Sequence, residues 1–337
     1  MGTATGRLYW GTLAGALAVL ALLGLRLNDY YLELVTKALL LGVFALSVDL
    51  AWGFTGILSI GQAVFFGLGA YTYTILSLRF PVPGITSAAL AAAILLPGLL
   101  AAAIALVGFH TGTHQIYFAL ITLALGLIFE AVAVVWRGLT GGFDGLINIP
   151  FLRFPVAPGW QLTIDRPQTY YCFVVALCAV LYLASHRLVT SPLGSVLEAI
   201  RENEERAVFL GYDTRRYKRF IFLMAAGLAG LAGALFAPVA GIASPDLFGF
   251  ILSAQVIMWV AIGGRASLIG GFLGAMTLNI GEALLRDVIL NFYLMIVGLV
   301  FILVVIFFPD GFMGLVHRMA RRAAAARAAA PAGVKAS

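Results

Sequence analysis

Charge is scarce in this chain. Asp, Glu, Lys and Arg make up 11% of its 337 residues, against roughly a quarter in soluble domains. That excludes an ordinary water-facing globular surface. Cysteine is nearly absent. Cys172 and Cys178 stand six apart in one apolar stretch, on roughly opposite faces of a helix, which argues against a disulfide or a thiolate metal site. No G-x-x-x-x-G-K-[ST] loop occurs, so the chain itself is not expected to hydrolyse ATP. Nucleophile elbows, H-E-x-x-H pairs and clustered thiols are missing as well. His110 and His114 have the i, i+4 spacing of a metal pair, but no third ligand is near and a place in a turn suits them better. The net charge of +6 does not point to nucleic acid, because the basic residues flank apolar runs.

Those apolar runs are what the chain has instead. Hydrophobic residues are 62% of the total, and a membrane-crossing helix needs about 20 of them in succession. About ten runs qualify, near 8–26, 33–52, 60–79, 85–109, 114–136, 169–189, 219–241, 249–264, 267–285 and 291–309. The expected fold is an all-α polytopic bundle of about ten transmembrane or half-membrane helices. The alternation of an outer-membrane barrel is missing. Run 8–26 reads as a retained first span rather than a signal peptide, since no small-x-small cleavage site follows it. Residues 1–316 form the transmembrane domain and 317–337 an Ala/Arg-rich tail. Ten crossings place both termini on one side. If that side is cytoplasmic, it holds fourteen of the 21 basic residues, as the positive-inside rule requires.

Polarity is concentrated in a few stretches. Residues 191–220 hold eleven of the chain's 21 basic and 15 acidic residues. Ser191-Pro192 reads as an N-cap followed by Pro at the first helical position. Leu193, Val196, Leu197, Ile200 and Ala207 give one apolar stripe, and Gly211 is a natural stop. The pattern predicts one short amphipathic helix lying along the membrane face. It serves either as a plain connector or as a dock for a soluble partner. Residues 53–69, GFTGILSIGQAVFFGLG, carry five glycines with Thr55, Ser59 and Gln62 between them. Such a segment is either a close-packed helix or a broken one lining a path through the bundle. Residues 263–271, GGRASLIGG, repeat this Gly/Ser flavour and suggest an internal duplication. The connection 137–168, with Gly141-Gly142 and Asp144-Gly145 as turn signals, reads as an irregular cap or loop. Ionisable residues at Lys37, Asp49, Glu130, Glu282, Arg286 and Asp287 fall within or at the edges of spans, with Asp49 and Glu130 deepest. They are structural pairs or, in a proton-coupled carrier, functional groups.

Four segments in order carry a resemblance: DLAWGFTGILSIGQAVFFGLGAY from Asp49, LTGGFDGL from Leu139, SPLGSVLEAIRENEERAVFLGYD from Ser191 and IMWVAIGGRASLIGG from Ile257. From about Leu39 to Gly314 the chain resembles permease subunits of the ABC importers for branched-chain amino acids and urea. Such permeases carry an E-A-A-x-x-x-G signature. Glu205-Arg206-Ala207 and Gly211 match its spacing, with Arg in the second place and Met224 where a later Pro belongs.

The resemblance implies a bacterial inner-membrane subunit working with a homologous permease, two cytoplasmic ATPases and a periplasmic binding protein. No cofactor is expected in this chain, since ATP and Mg²⁺ would belong to the ATPases. Segment 190–219 becomes the cytoplasmic coupling loop, with Glu198, Arg201, Glu202, Glu205, Arg206 and Gly211 against the ATPase. Segment 137–168 becomes the periplasmic loop. Thr55, Gly56, Ser59, Gln62, Gly263, Gly264 and Ser267 are the candidates for the substrate path. WVAIGGRASL and FLGYD resemble the urea-type second permease more than the amino-acid type, so urea is the expected solute and branched-chain amino acids the alternative.

Overall fold

The computed structural model describes residues 27–288, apart from 81, 83, 111–114, 158 and 159, together with the isolated positions 24 and 298. The expected spans 8–26 and 291–309, the tail 317–337 and His114 therefore lie outside the described residues, as do the side chains of Arg286 and Asp287.

Helix α1 (Asp29–Val48) runs into a π-helical turn, Asp49–Gly53. After an irregular stretch come α2 (Ala63–Arg79), α3 (Ile85–His110) and α4 (Gln115–Val135). The connection that follows holds a four-residue helix α5 (Arg137–Thr140), a 3₁₀ turn and strands β1 (Leu146–Ile147), β2 (Leu152–Ala157) and β3 (Trp160–Ile164). Next are α6 (Pro167–Thr190), the short helices α7 (Pro192–Glu202) and α8 (Glu204–Phe209), and α9 (Thr214–Ala240). Strand β4 (Ile242–Ala243) and a 3₁₀ turn, Pro245–Phe248, lead into α10 (Phe250–Gly263) and α11 (Leu268–Val288).

The molecule is an all-α bundle with two small strand ladders. Five helical stretches among the described residues are long and apolar enough to cross a membrane: Asp29–Gly53, Ile85–Phe109, Ile116–Val135, Pro167–Thr190 and Thr214–Ala240. Helices α10 and α11 pass that test only together, as a pair bent by 120° at residues 264–267. The two spans expected there are thus one broken span or a re-entrant loop. Helix α2 is 17 residues long and begins only where the break after α1 ends.

Helix α9 holds the centre with a face of small residues, including Ala226, Ala229, Gly230 and Gly233, packed on α1, α2 and α3. A Cβ at Gly233 would fall on the carbonyl of Phe66, one at Gly69 on the backbone of Gly230, and one at Gly230 on the carbonyl of Ala93. Backbones this close gain dispersion contacts along their length, which is how helices associate where no water drives them together. Rings fill the remaining gaps. Phe66 meets Phe44 at 4.7 Å and Phe236 at 5.4 Å between centroids.

Connection 137–168 is more ordered than its composition suggests. Strands β2 and β3 form an antiparallel hairpin with a bulge near Pro155. Leu152 and Ile164 face inward while Arg153 and Thr163 are more exposed, which is the alternation of a one-sided sheet. Strands β1 and β4 tie this region to the end of α9. The Tyr73 hydroxyl donates to the Pro150 carbonyl at 3.0 Å, and Gln168 Nε2 donates to Asp29 Oδ1 at 2.8 Å. Arg153 N–H donates to Thr86 Oγ1 at 3.2 Å and Phe154 meets Phe173, so the hairpin sits where α3 and α6 begin, at the opposite end of α6 from α7.

Replacing Gly233 by Val should destabilise the bundle by about 1–3 kcal/mol through overpacking. Gly281→Ala, at a position with open space around it, should be neutral or stabilising by up to about 1 kcal/mol. Thermal unfolding in detergent reads both, and equal melting temperatures for the two variants would contradict the packing described.

Candidate functional site

The first span ends in DLAWG. Asp49 is fully buried, and the helix widens into its π turn there. Thr55 donates its hydroxyl back to the carbonyl of Ala51. Gly56 then takes a φ of +78°, a conformation open to glycine and costly for other residues, and the helix stops. The chain runs irregularly through 56–59, turns at 60–62 and starts α2 at Ala63. Side chains from other helices hold the amides freed at this start. Gly61 N–H donates to Thr122 Oγ1 of α4 at 3.4 Å, and Ala63 N–H donates to Ser253 Oγ of α10 at 3.1 Å. Ser59 and Gln62 are buried at the same break, and their side chains have no hydrogen-bond partner among the described residues.

The bend between α10 and α11 packs directly on this first break. A Cβ at Gly263 would strike the carbonyl of Gly270, so the two arms approach as closely as backbone allows. Gly264 adopts φ +117° and Ala266 φ +60° to make the turn. Ser267 Oγ accepts from Gly270 N–H at 3.2 Å and caps α11. The turn thus presents its own backbone to the first span, and Asp49 Oδ1 accepts from Ala266 N–H at 2.9 Å. Arg265 lies over the Trp52 ring at 4.5 Å and donates to the Trp52 carbonyl at 3.2 Å. The next carbonyl, that of Gly53, accepts from Arg201 Nη1 of α7 at 2.7 Å. Two guanidiniums therefore cap adjacent carbonyls at a helix C-terminus, where the backbone dipoles leave partial negative charge.

The charged segment forms two helices where the sequence pattern predicts one. Asn203 breaks it, and its Oδ1 accepts from Arg206 N–H at 2.9 Å as the N-cap of α8. Local capping wins over the apolar periodicity. Glu204 pairs with Lys218 and pins α8 to the start of α9. Glu198 lies 3.4 Å from Arg201, while Glu202, Glu205, Arg206 and Gly211 are exposed. Charge alone misses the apolar tip of this segment. Phe209 is 90% exposed and Leu210 71%, with Val208 beside them. The signal was in the sequence as V-F-L, three apolar residues in a row at the end of a charged helix.

The remaining expected residues separate. Gly263, Gly264 and Ser267 shape the bend, and Thr55 and Gly56 end the first span. Glu130 is not deep. It is part-exposed in α4, facing Gly249. No group of three His, Cys, Asp or Glu suited to a metal occurs among the described residues.

Asp49→Leu should cost about 1–3 kcal/mol of thermal stability in detergent, because it leaves the part-buried Ala266 amide without its acceptor. Asp49→Asn keeps an acceptor there and should cost less than about 1 kcal/mol. Equal losses from the two substitutions would contradict this bond.

Comparison with known proteins places the fold. Residues 30–305 match the family described as branched-chain amino acid transport system, permease component. The high-affinity branched-chain amino acid transport system permease protein LivM of Escherichia coli K12 is 30% identical over 304 residues, covering 83% of this chain and 69% of LivM. LivM of Salmonella typhimurium gives the same values. The permease protein LivH of E. coli is 24% identical over 163 residues, covering 46% of this chain and 53% of LivH. No solved structure matches. A membrane bundle with a broken first span, a bent helix pair and a charged segment of two short helices is thus joined to a sequence match over most of its length: the chain belongs to the family of permease components of branched-chain amino acid transport systems.

Proposed function

We propose that this chain is the LivM-like permease subunit of an ATP-driven importer for branched-chain amino acids in a bacterial inner membrane. The relatives reported above carry the amino-acid name, which favours that solute over urea. The LivH match supports a second, homologous permease as partner. Two ATPases that bind ATP and Mg²⁺, and a periplasmic binding protein, complete the assembly. The α7 end faces the cytoplasm and the hairpin faces the periplasm.

One observation carries the mechanism: Arg201 of α7 donates to the Gly53 carbonyl at the break in the first span. The exposed tip of Val208, Phe209 and Leu210 inserts into the ATPase, since aromatic anchors ringed by polar groups dominate such contacts. Glu198, Glu202, Glu205 and Arg206 form the polar rim, with Gly211 as the turn that closes α8. When the ATPases close, α7 moves, and Arg201 draws the 52–53 carbonyls and the Arg265 turn with it. The break at 56–62, with Thr55, Ser59 and Gln62, and the bend at Gly263, Gly264 and Ser267 are the joints that change shape along the path.

Uptake by the full transporter with its binding protein, reconstituted in vesicles, tests the reading. Labelled leucine should enter only with ATP inside, and excess isoleucine or valine should compete while urea does not. Phe209→Ala should lower uptake about tenfold or more by weakening ATPase docking. Competition by urea, or leucine entry without ATP, would overturn the proposal.

A further inference from the structure

A cavity of about 380 Å³ opens between α1, α10 and α11, away from the Arg201 junction. That is within the roughly 300–1,000 Å³ of small-molecule sites. Each helix turns one stripe of residues toward it. Lys37 and Leu41 come from α1, Gln255 and Trp259 from α10, and Asn279 and Glu282 from α11. The pairs are three or four residues apart, as two neighbours on one helix face must be.

The polar groups are of opposite sign. Lys37 lies eight residues, about 12 Å, into a helix whose other charges, Asp29 and Glu33, precede it and which carries none after it. No carboxylate lies within ion-pair distance of Lys37 among the described residues. A lysine at that depth is costly unless it serves a cavity or a pathway. Glu282 brings a carboxylate to the same volume. The Asn279 amide already donates to the Ala275 carbonyl at 2.7 Å, so it offers a ligand an acceptor. Leu41 and Trp259 supply an apolar wall.

We infer that this cavity is a binding site for a free α-amino acid as a zwitterion. Lys37 and Gln255 take its carboxylate, Glu282 and Asn279 take its ammonium, and Leu41 and Trp259 cover an aliphatic side chain. The inference rests on the amino-acid reading above and gives it a location in this chain. Urea carries neither charge, so it would make hydrogen bonds with Lys37 or Glu282 but would lack the pairing of opposite charges.

Saturation-transfer NMR of L-leucine on the assembled permease–ATPase complex in nanodiscs, without binding protein, tests the site. Lys37→Met and Glu282→Gln should each cut the leucine signal about tenfold, the loss expected for one charge-assisted hydrogen bond. Lys37→Arg should keep most of it. Isoamylamine, which lacks the carboxylate, should bind weakly and be indifferent to Lys37→Met. Undiminished leucine signal in Lys37→Met and Glu282→Gln would overturn the inference. So would Lys37→Arg losing as much as Lys37→Met, which would mean that packing and not charge is at work. Wild-type uptake by the same complex, reconstituted in vesicles with its binding protein, keeps the two readings apart. If leucine enters but the variants bind it normally, only the cavity assignment fails. If leucine never enters, the amino-acid reading itself fails.

Discussion

Where the first span unwinds, backbone carbonyls and amides lose regular helical partners, and those that are buried must find others. Every nearby feature answers that constraint. Thr55 turns back onto Ala51, Arg265 takes the Trp52 carbonyl and Arg201 takes the Gly53 carbonyl. Thr122 and Ser253 receive amides on the far side of the break. The partners, two acceptors from α4 and α10 and two donors from α7 and the 264–267 turn, bind four separate parts of the chain to one broken helix. The Arg201 bond fixes α7 against this break.

The rest of the bundle makes that junction stiff. Glycine and alanine bring α9 against α1, α2 and α3 at backbone distance, and phenylalanines lock the spaces between. A close-packed interior transmits displacement rather than absorbing it. The soft points are then the two places where helical hydrogen bonding is interrupted, residues 56–62 and 264–267. The second packs on the π turn just before the first, through Asp49 and Ala266.

Much of this was legible in the sequence for simple reasons. Long apolar runs mark spans because lipid tolerates little else, and the ends of α3, α4 and α6 fall within a few residues of the run boundaries. The two Gly/Ser stretches stood out by composition, but their contact did not, since more than two hundred residues separate Asp49 from its partner Ala266. Asn203 looked like one polar residue among many, yet its capping bond divides the charged segment into two helices. The 152–164 hairpin was hidden by its proline and aromatic content, because a bulge accommodates Pro155 where a regular strand would not. Lys37 and Glu282 were visible as charges in spans, but only the packing of three helices brings them to one cavity.

The central claim is that Arg201 links nucleotide hydrolysis to the break in the first span. The most direct measurement is the number of ATP molecules hydrolysed per leucine carried by the reconstituted transporter with Arg201→Met. A charge-assisted hydrogen bond is worth about 1.5–3 kcal/mol, so its loss should change coupling by about tenfold or more. The account predicts that hydrolysis continues while uptake falls by that factor. An unchanged ratio of ATP to leucine would contradict it.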